Sequence, residues 1–445
     1  MLPTCSVTAW LLIGLATQNA GADELQNKVA QLHDADPKVR LQAAIDLGKM
    51  RAHASKSGRK AVVTALVDRL QDEDEAVCRA AATTLGGRPD AMPELCHALG
   101  SKDARVRRWS AFALGEMAHG MPGGLPAIFE MLPAVRSQAS AAIPSLLGAL
   151  NDTNAQVRAE VLSALGAIGP AAKTAVPKIA RALKDRDKIV RRTAAAALWY
   201  IDHQTESTVA VLADGLQDTT AELIDRQACA DVLGRMGARA RAAVPALITA
   251  MRGVRGFLGR TEADVELSFA AADTLAHIGE PAVPALIVEL RGKDSDVRKH
   301  AAWACWKMGL QAKEAVPALC EMCRDTDAEL RIFAVNALGK IGPSAKSAVP
   351  ALVPRLKDSD GKVRRAASWA LGRIGSSSKR AVPALIVALG DKQEEVKEAA
   401  AWALGRIGSE ARAAVPALVG LINGKSETLA VRQAAREALK NIGPE

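Results

Sequence analysis

Aromatic side chains are scarce: five Phe, one Tyr and seven Trp make up 3% of the 445 residues. A core without them must be filled by small aliphatics, which argues against a β-sandwich or barrel. Histidine is nearly as rare. None of the seven (His33, His53, His97, His119, His203, His277 and His300) precedes a Glu or stands three or four residues from another. A His pair on one helix face, the usual means of holding zinc or iron, is therefore missing, and no metal or other cofactor is expected. Neither Gly-x-x-x-x-Gly-Lys nor Gly-x-Ser-x-Gly occurs, so the phosphate-cradling loop and the hydrolase nucleophile turn are absent too. What the chain has in quantity is 49% hydrophobic and 24% charged residues, with a net charge of +9. That composition excludes disorder and describes a long, alanine-rich, helical chain.

The N-terminus reads as a leader. Val7 to Ala16 is apolar, and Ala20-Gly21-Ala22 before Asp23 supplies small residues for cleavage. The run is too short for a transmembrane span, which needs about twenty residues. No Lys or Arg precedes it, which departs from the usual pattern. Residues 1–22 are expected to be a signal peptide and the protein to be exported, periplasmic or secreted; uncleaved, it would be cytoplasmic.

Beyond the leader the chain is a repeat. Ala-Val-Pro-Ala-Leu recurs at Ala243, Ala282, Ala315, Ala348, Ala381 and Ala414, with variants at Ala141 and Ala175. Its prolines, Pro284, Pro317, Pro350, Pro383 and Pro416, stand 33 residues apart. Repeats are regular over 141–445 and degenerate over 25–140, giving about twelve units. Each unit predicts two helices. The first opens on the proline, where a missing N–H is tolerated. The second, over Val363 to Ile374, has one apolar face and closes at Gly375. One hairpin cannot bury its apolar faces, so neighbours must stack into a solenoid.

The pattern D-x-D-x-x-V-R-x-x-A-A-x-A-L-G-x-I-G, whole at Asp358 to Gly375, resembles the HEAT repeat, in the short variety found in phycobilin lyases. The resemblance implies an all-α, right-handed α-solenoid of about twelve stacked hairpins, with second helices on the concave face. It leaves function open, because similar arrays serve as scaffolds, transport adaptors, bilin lyases, a di-iron hydroxylase and DNA glycosylases. The hydroxylase chemistry is disfavoured by the missing His-Glu pairs.

Several recurring residues read as structural. Asp34, Asp72, Asp152, Asp185, Asp218, Asp325, Asp358 and Asp391 precede by six the Arg column of Arg40, Arg158, Arg191, Arg331 and Arg364, with Lys397 as a variant. Arg107 and Arg298 fill that column where the Asp is altered. The resemblance implies a ladder between repeats, with the same Asp capping the second helix. Cys320-x-x-Cys323 falls in the columns of Ile287 and Leu290, so it reads as packing, not redox chemistry or metal binding. Cys78 stands where Arg is expected and has no sequence-level explanation. The insertions at 120–140 and at 252–263 read as loops.

The informative surface lies on the second helices, away from the apolar stripe. A row at i, i+4 and i+8 reads Lys299-Trp303-Lys307, Ile332-Asn336-Lys340, Arg365-Trp369-Arg373 and Glu398-Trp402-Arg406, with Trp306 nearby. Trp199 and Tyr200 extend its character upstream. Stacked Trp beside Arg or Lys suits an acidic polymer or protein segment through cation–π and charge contacts. The leading reading is a non-enzymatic scaffold engaging a protein or acidic polymer along that face. The alternatives are a bilin-lyase-like enzyme and a nucleic-acid-binding protein, the latter disfavoured by export.

Overall fold

The computed structural model describes residues 23–50, 56–119, 139–253, 261–424 and 427–443, which form helices and turns with no strand among them. The leader and most of both insertions lie outside the described residues. No described helix is long and apolar enough to cross a membrane.

Among the described residues, twelve second helices follow one another. They are α1 (Pro37–Lys49), α2 (Glu75–Gly86), α3 (Ala104–His119), α4 (Ala155–Ile168), α5 (Lys188–Asp202), α6 (Leu223–Met236), α7 (Glu262–Ile278), α8 (Ser295–Met308), α9 (Ala328–Ile341), α10 (Gly361–Ile374), α11 (Glu394–Ile407) and α12 (Leu429–Ile442). The chain divides into two compact units at Val211/Leu212, the first holding α1 to α5 and the second α6 to α12. Within each unit every second helix packs on the next. The architecture is an all-α solenoid.

The regular repeats share one local construction. Each second helix from α6 to α12 stops at a glycine that takes a left-handed conformation, such as Gly375 at φ 76, whose N–H donates to the Leu371 carbonyl. A 3-10 segment follows in most of them, Gly375–Ala381 for example, and delivers the chain to a short first helix with proline in its first turn. This bridge is not legible in the apolar periodicity. In the fifth repeat the glycine is replaced by Asp202; the helix runs one residue further and His203 takes the left-handed turn at φ 52. Pro354, lacking an N–H, curtails the first helix Val349–Leu352, which continues as 3-10 turns to Lys357.

The core is built of Ala, Leu, Val and Ile, with Ala400, Ala401, Ala403 and Leu404 of α11 fully buried. Close approach depends on the glycine of Ala-Leu-Gly. A Cβ at Gly405 would lie 2.8 Å from the Ala438 Cα, and one at Gly166 would lie 3.2 Å from the Ala197 Cα. Alanine cores thus let backbones approach until glycine is the side chain that fits.

The Asp–Arg ladder joins adjacent repeats. Arg40 pairs with Asp72, Arg107 with Asp152, Arg158 with Asp185, Arg298 with Asp325, Arg331 with Asp358 and Arg364 with Asp391, at 2.6–3.0 Å. Lys397 closes the series on Glu427 at 2.8 Å. The ladder aspartate is not the helix cap, contrary to expectation. Asp358 Oδ1 accepts the N–H of Asp360, and the Asp360 carboxylate caps α10 by accepting the N–H of Lys362. Two carboxylates at this spacing divide the work, one reaching the neighbouring repeat and one ending the helix.

Cys78 now has an explanation. Ladder arginines also donate Nη1 to the carbonyl six residues back, as Arg331 does to Asp325 at 3.0 Å. Cys78 Sγ donates to the Asp72 carbonyl at 3.3 Å, keeping that contact while omitting the rung. Ser101 occupies the aspartate column of the next repeat, so neither half of this rung is present.

Candidate partner-binding surface

The row forms on neighbouring helices of the second unit. Trp303 on α8, Trp369 on α10 and Trp402 on α11 are half-buried, whereas Trp306 on α8 is 37% exposed. Each ring carries a cation. Lys307 lies 5.4 Å from the Trp303 centroid, Arg373 5.8 Å from Trp369, and Arg406 6.0 Å from Trp402, all at i+4 on one helix. Lys340 of α9 reaches across repeats to Trp306 at 5.6 Å. Such contacts fix the side chain without neutralising its charge.

The rings are seated on the preceding helix. A Cβ at Gly339 would come within 2.5 Å of Trp369 Cζ3, and one at Gly372 within 2.5 Å of Trp402 Cζ3. Trp369 and Trp402 therefore cover the glycine of the previous repeat with part of each ring and leave the rest outside. Where the next helix offers only Asn336, the preceding repeat replaces that glycine by Trp306. Sequence alone did not reveal this seating, because it needs the register between repeats.

The positive charge is distributed unevenly. Lys299 pairs with Glu329 at 2.8 Å, and Lys307 pairs with Asp273, which His277 also contacts at 3.1 Å. Lys340, Arg373 and Arg406 are exposed, and among the described residues no carboxylate lies within ion-pair distance of them. They occupy the last turns of α9, α10 and α11, where a cation also complements the helix dipole. Arg365 is exposed on α10, but Glu398 holds its place on α11, so the row's first positions carry no line of one sign.

One contributor was missed. Phe269 of α7, 47% exposed, packs against Trp303 with centroids 4.5 Å apart and the rings tilted by 47°, and lies 6.5 Å from the His300 ring. It occupies the column of Arg365, so its place on the row could have been read from the alignment of repeats.

The upstream extension differs. Trp199 is 7% exposed and edge-on to His203 at 4.8 Å, so its ring offers no open face; Tyr200 is half-buried. Both belong to the first unit. There the same row is apolar at its start, with Leu41, Ile45 and Lys49 on α1 beside a hollow of about 810 Å³ bordered by Arg79 and Thr83 of α2.

None of the six cysteines in the described residues is in a disulfide, and burial pushes the Cys320 thiol up to about 11 and that of Cys323 to about 12. No group of three or more His, Cys, Asp or Glu suited to a metal occurs among the described residues. Arg252, in the Gly- and Arg-rich insertion, is committed to Glu289 through bonds of 2.6 and 3.0 Å.

A family model for HEAT repeats matches residues 25–88, 63–143, 124–198, 143–225, 257–330, 283–367 and 349–440. No curated protein shows significant sequence similarity. Among solved structures, the karyopherin Kap121p is similar at 14% identity with a TM-score of 0.57, over 96% of this chain and 50% of that one. Kap95p, in its structure with RanGDP, is similar at 14% identity with a TM-score of 0.56, over 99% of this chain and 65% of that one. Kap121p has also been seen bound to Ste12p and to Nup53p. The chain spans about half the length of Kap121p, and at this identity the likeness is one of fold.

Proposed function

The chain belongs to the HEAT-repeat family, and on that premise we propose that it is a scaffold that binds a protein partner along the second-helix face of α7 to α11. The observation that carries this reading is the set of cation–ring pairs on consecutive helices, ending in three exposed cations with no carboxylate among the described residues within ion-pair distance. A purely structural row would need neither exposed ring faces nor an unneutralised line of charge. Aromatic residues and arginine are the types enriched where proteins meet. The protein complexes of the karyopherins, similar in fold, support the reading by analogy.

Export belongs to the same proposal. The apolar run Val7 to Ala16 and the small residues before Asp23 support a cleaved leader and a partner outside the cytoplasm. Mass measurement of the protein from its source is expected to begin it at Asp23; an intact Met1 or Leu2 start would contradict export.

Affinity capture tests the binding reading. Wild-type protein and a Lys340→Glu, Arg373→Glu, Arg406→Glu variant are compared, with folding checked by circular dichroism. A protein retained by the wild type and lost from the variant is expected. Identical captured sets would overturn the assignment of this face.

A further inference from the structure

The cations are arranged as a ruler. Lys340, Arg373 and Arg406 occupy one column of three successive repeats, at the last turns of α9, α10 and α11. Helices packed side by side stand about 8–10 Å apart, so the three charges recur at about that interval across the helices. On one side the column continues to Lys307, whose charge is taken by Asp273. On the other it ends at Asn441 of α12, which carries none. The uncompensated line is therefore three charges long.

A polyproline II chain crossing these helices advances about 3.1 Å per residue and turns once every three residues, so side chains three apart share one face, whereas in a β-strand the side chains at i and i+3 point to opposite faces. Three residues then cover about 9–10 Å, one repeat. Side chains at i, i+3 and i+6 meet successive cations; those at i, i+2 and i+4 fall out of step. Each cation is held by ring contact, at 5.6 to 6.0 Å from the Trp306, Trp369 and Trp402 centroids, so less side-chain freedom is lost when an acidic group docks. On the next two helices beyond the line, half-buried Trp303 of α8 and exposed Phe269 of α7 form an aromatic patch.

Resting on the reading of this face as a protein-binding surface, the geometry points to its ligand: a peptide segment in the polyproline II conformation carrying acidic side chains three residues apart, with an apolar residue beyond the acidic triad that sits on Phe269 and Trp303. The occupant is an unfolded acidic stretch of a partner protein, read across α8 to α11 one repeat at a time. A helical segment would not match, because its 1.5 Å rise brings i and i+3 within about 5 Å.

Fluorescence anisotropy with the full chain tests this. The probes are a labelled peptide with glutamates at every third position in an Ala/Pro background, its isomer with the same glutamates contiguous, and oligothymidylate of equal charge. The spaced peptide is expected to bind about tenfold more tightly than the isomer. That preference should vanish in the Lys340→Glu, Arg373→Glu, Arg406→Glu variant, and Phe269→Ala should weaken a version carrying a Trp beyond the triad. Equal affinity for both peptides, lost in the variant, would overturn the register and leave the face as a binding surface. Binding unchanged by the variant, or no binding of any probe, would overturn both. Tighter binding of oligothymidylate would make the site one for polyanions and overturn the peptide assignment.

Discussion

Asp358→Ala removes the most buried rung of the ladder. The Asp358 and Arg331 side chains are 3% and 9% exposed, and the carboxylate receives Arg331 Nε at 2.9 Å and Nη2 at 2.7 Å. Arg355 adds a contact at 3.0 Å, and the Asp360 N–H one at 3.1 Å. Truncation strands a buried guanidinium, which typically costs about 3–5 kcal/mol. Arg331 keeps the Asp325 and Thr326 carbonyls, each at 3.0 Å, so the lower end, about 3 kcal/mol, is expected. The damage should be local, since repeats contact only neighbours. Urea melts followed by circular dichroism give the overall loss, and hydrogen exchange should open α9 and α10 first. Acid provides a second readout. Burial by itself would raise the Asp358 carboxyl, but the Arg331 hydrogen bonds, the Asp360 N–H and the Arg355 charge outweigh it and hold the group below the ordinary carboxylate range. Its folded value being depressed, the rung's contribution is complete above the unfolded value, about 3.9, and is lost as pH falls through the folded one. Asp358→Asn should flatten the stability curve below about pH 4. For comparison, Glu329→Ala, which breaks an exposed pair with Lys299, should cost under about 1 kcal/mol. Equal effects of Asp358→Ala and Glu329→Ala would refute the argument that burial sets the worth of the rungs.

Gly339→Ala should destabilise despite the better helix propensity of alanine. The overpacking against Trp369 and the Ala370 backbone costs about 1–3 kcal/mol, against a gain of about 1 from propensity. Adding Trp369→Ala should recover part of that loss in thermal melts, whereas a raised melting temperature for the single variant would show that the ring is not seated there. Cys78→Arg alone should destabilise by stranding a buried cation, and the pair Cys78→Arg, Ser101→Asp should recover at least about 1 kcal/mol in a double-mutant cycle by installing the missing rung. The Cys305 and Cys323 thiols, buried and pushed up to about 12, should resist a thiol reagent at pH 8 until denaturant is added; rapid labelling of the native protein would contradict their packing role.

The repeat made most of the architecture legible, because proline, glycine and the Ala-Leu-Gly column punctuate each hairpin by their own backbone chemistry. The ladder was legible through the resemblance to the HEAT repeat; the recurrence of an Arg six residues after an Asp showed by itself only that the pair is no single site. The split of tasks between Asp358 and Asp360 was not, because both lie in one turn and only geometry shows which carboxylate reaches back and which caps. The seating of Trp369 on Gly339 and the ring contact of Phe269 with Trp303 depend on inter-repeat register, which a single repeat does not encode, although the column Phe269 occupies was readable from the alignment of repeats. Trp199 shows the converse. It looks like part of the row by composition, yet it stands in the glycine column and is buried.

The central claim is that a line of three cations on α9 to α11 receives the partner. Its most direct test is the dissociation constant of the captured partner, measured for wild type and for two variants of equal charge change. One variant reverses Lys340, Arg373 and Arg406; the other reverses Lys313, Lys346 and Arg412, exposed on the 3-10 segments that precede first helices. The account predicts that the first loses binding by about a hundredfold or more, and that the second shows only the small loss expected from net charge. Equal losses from the two would contradict it, for binding would then follow the charge of the chain and not this face.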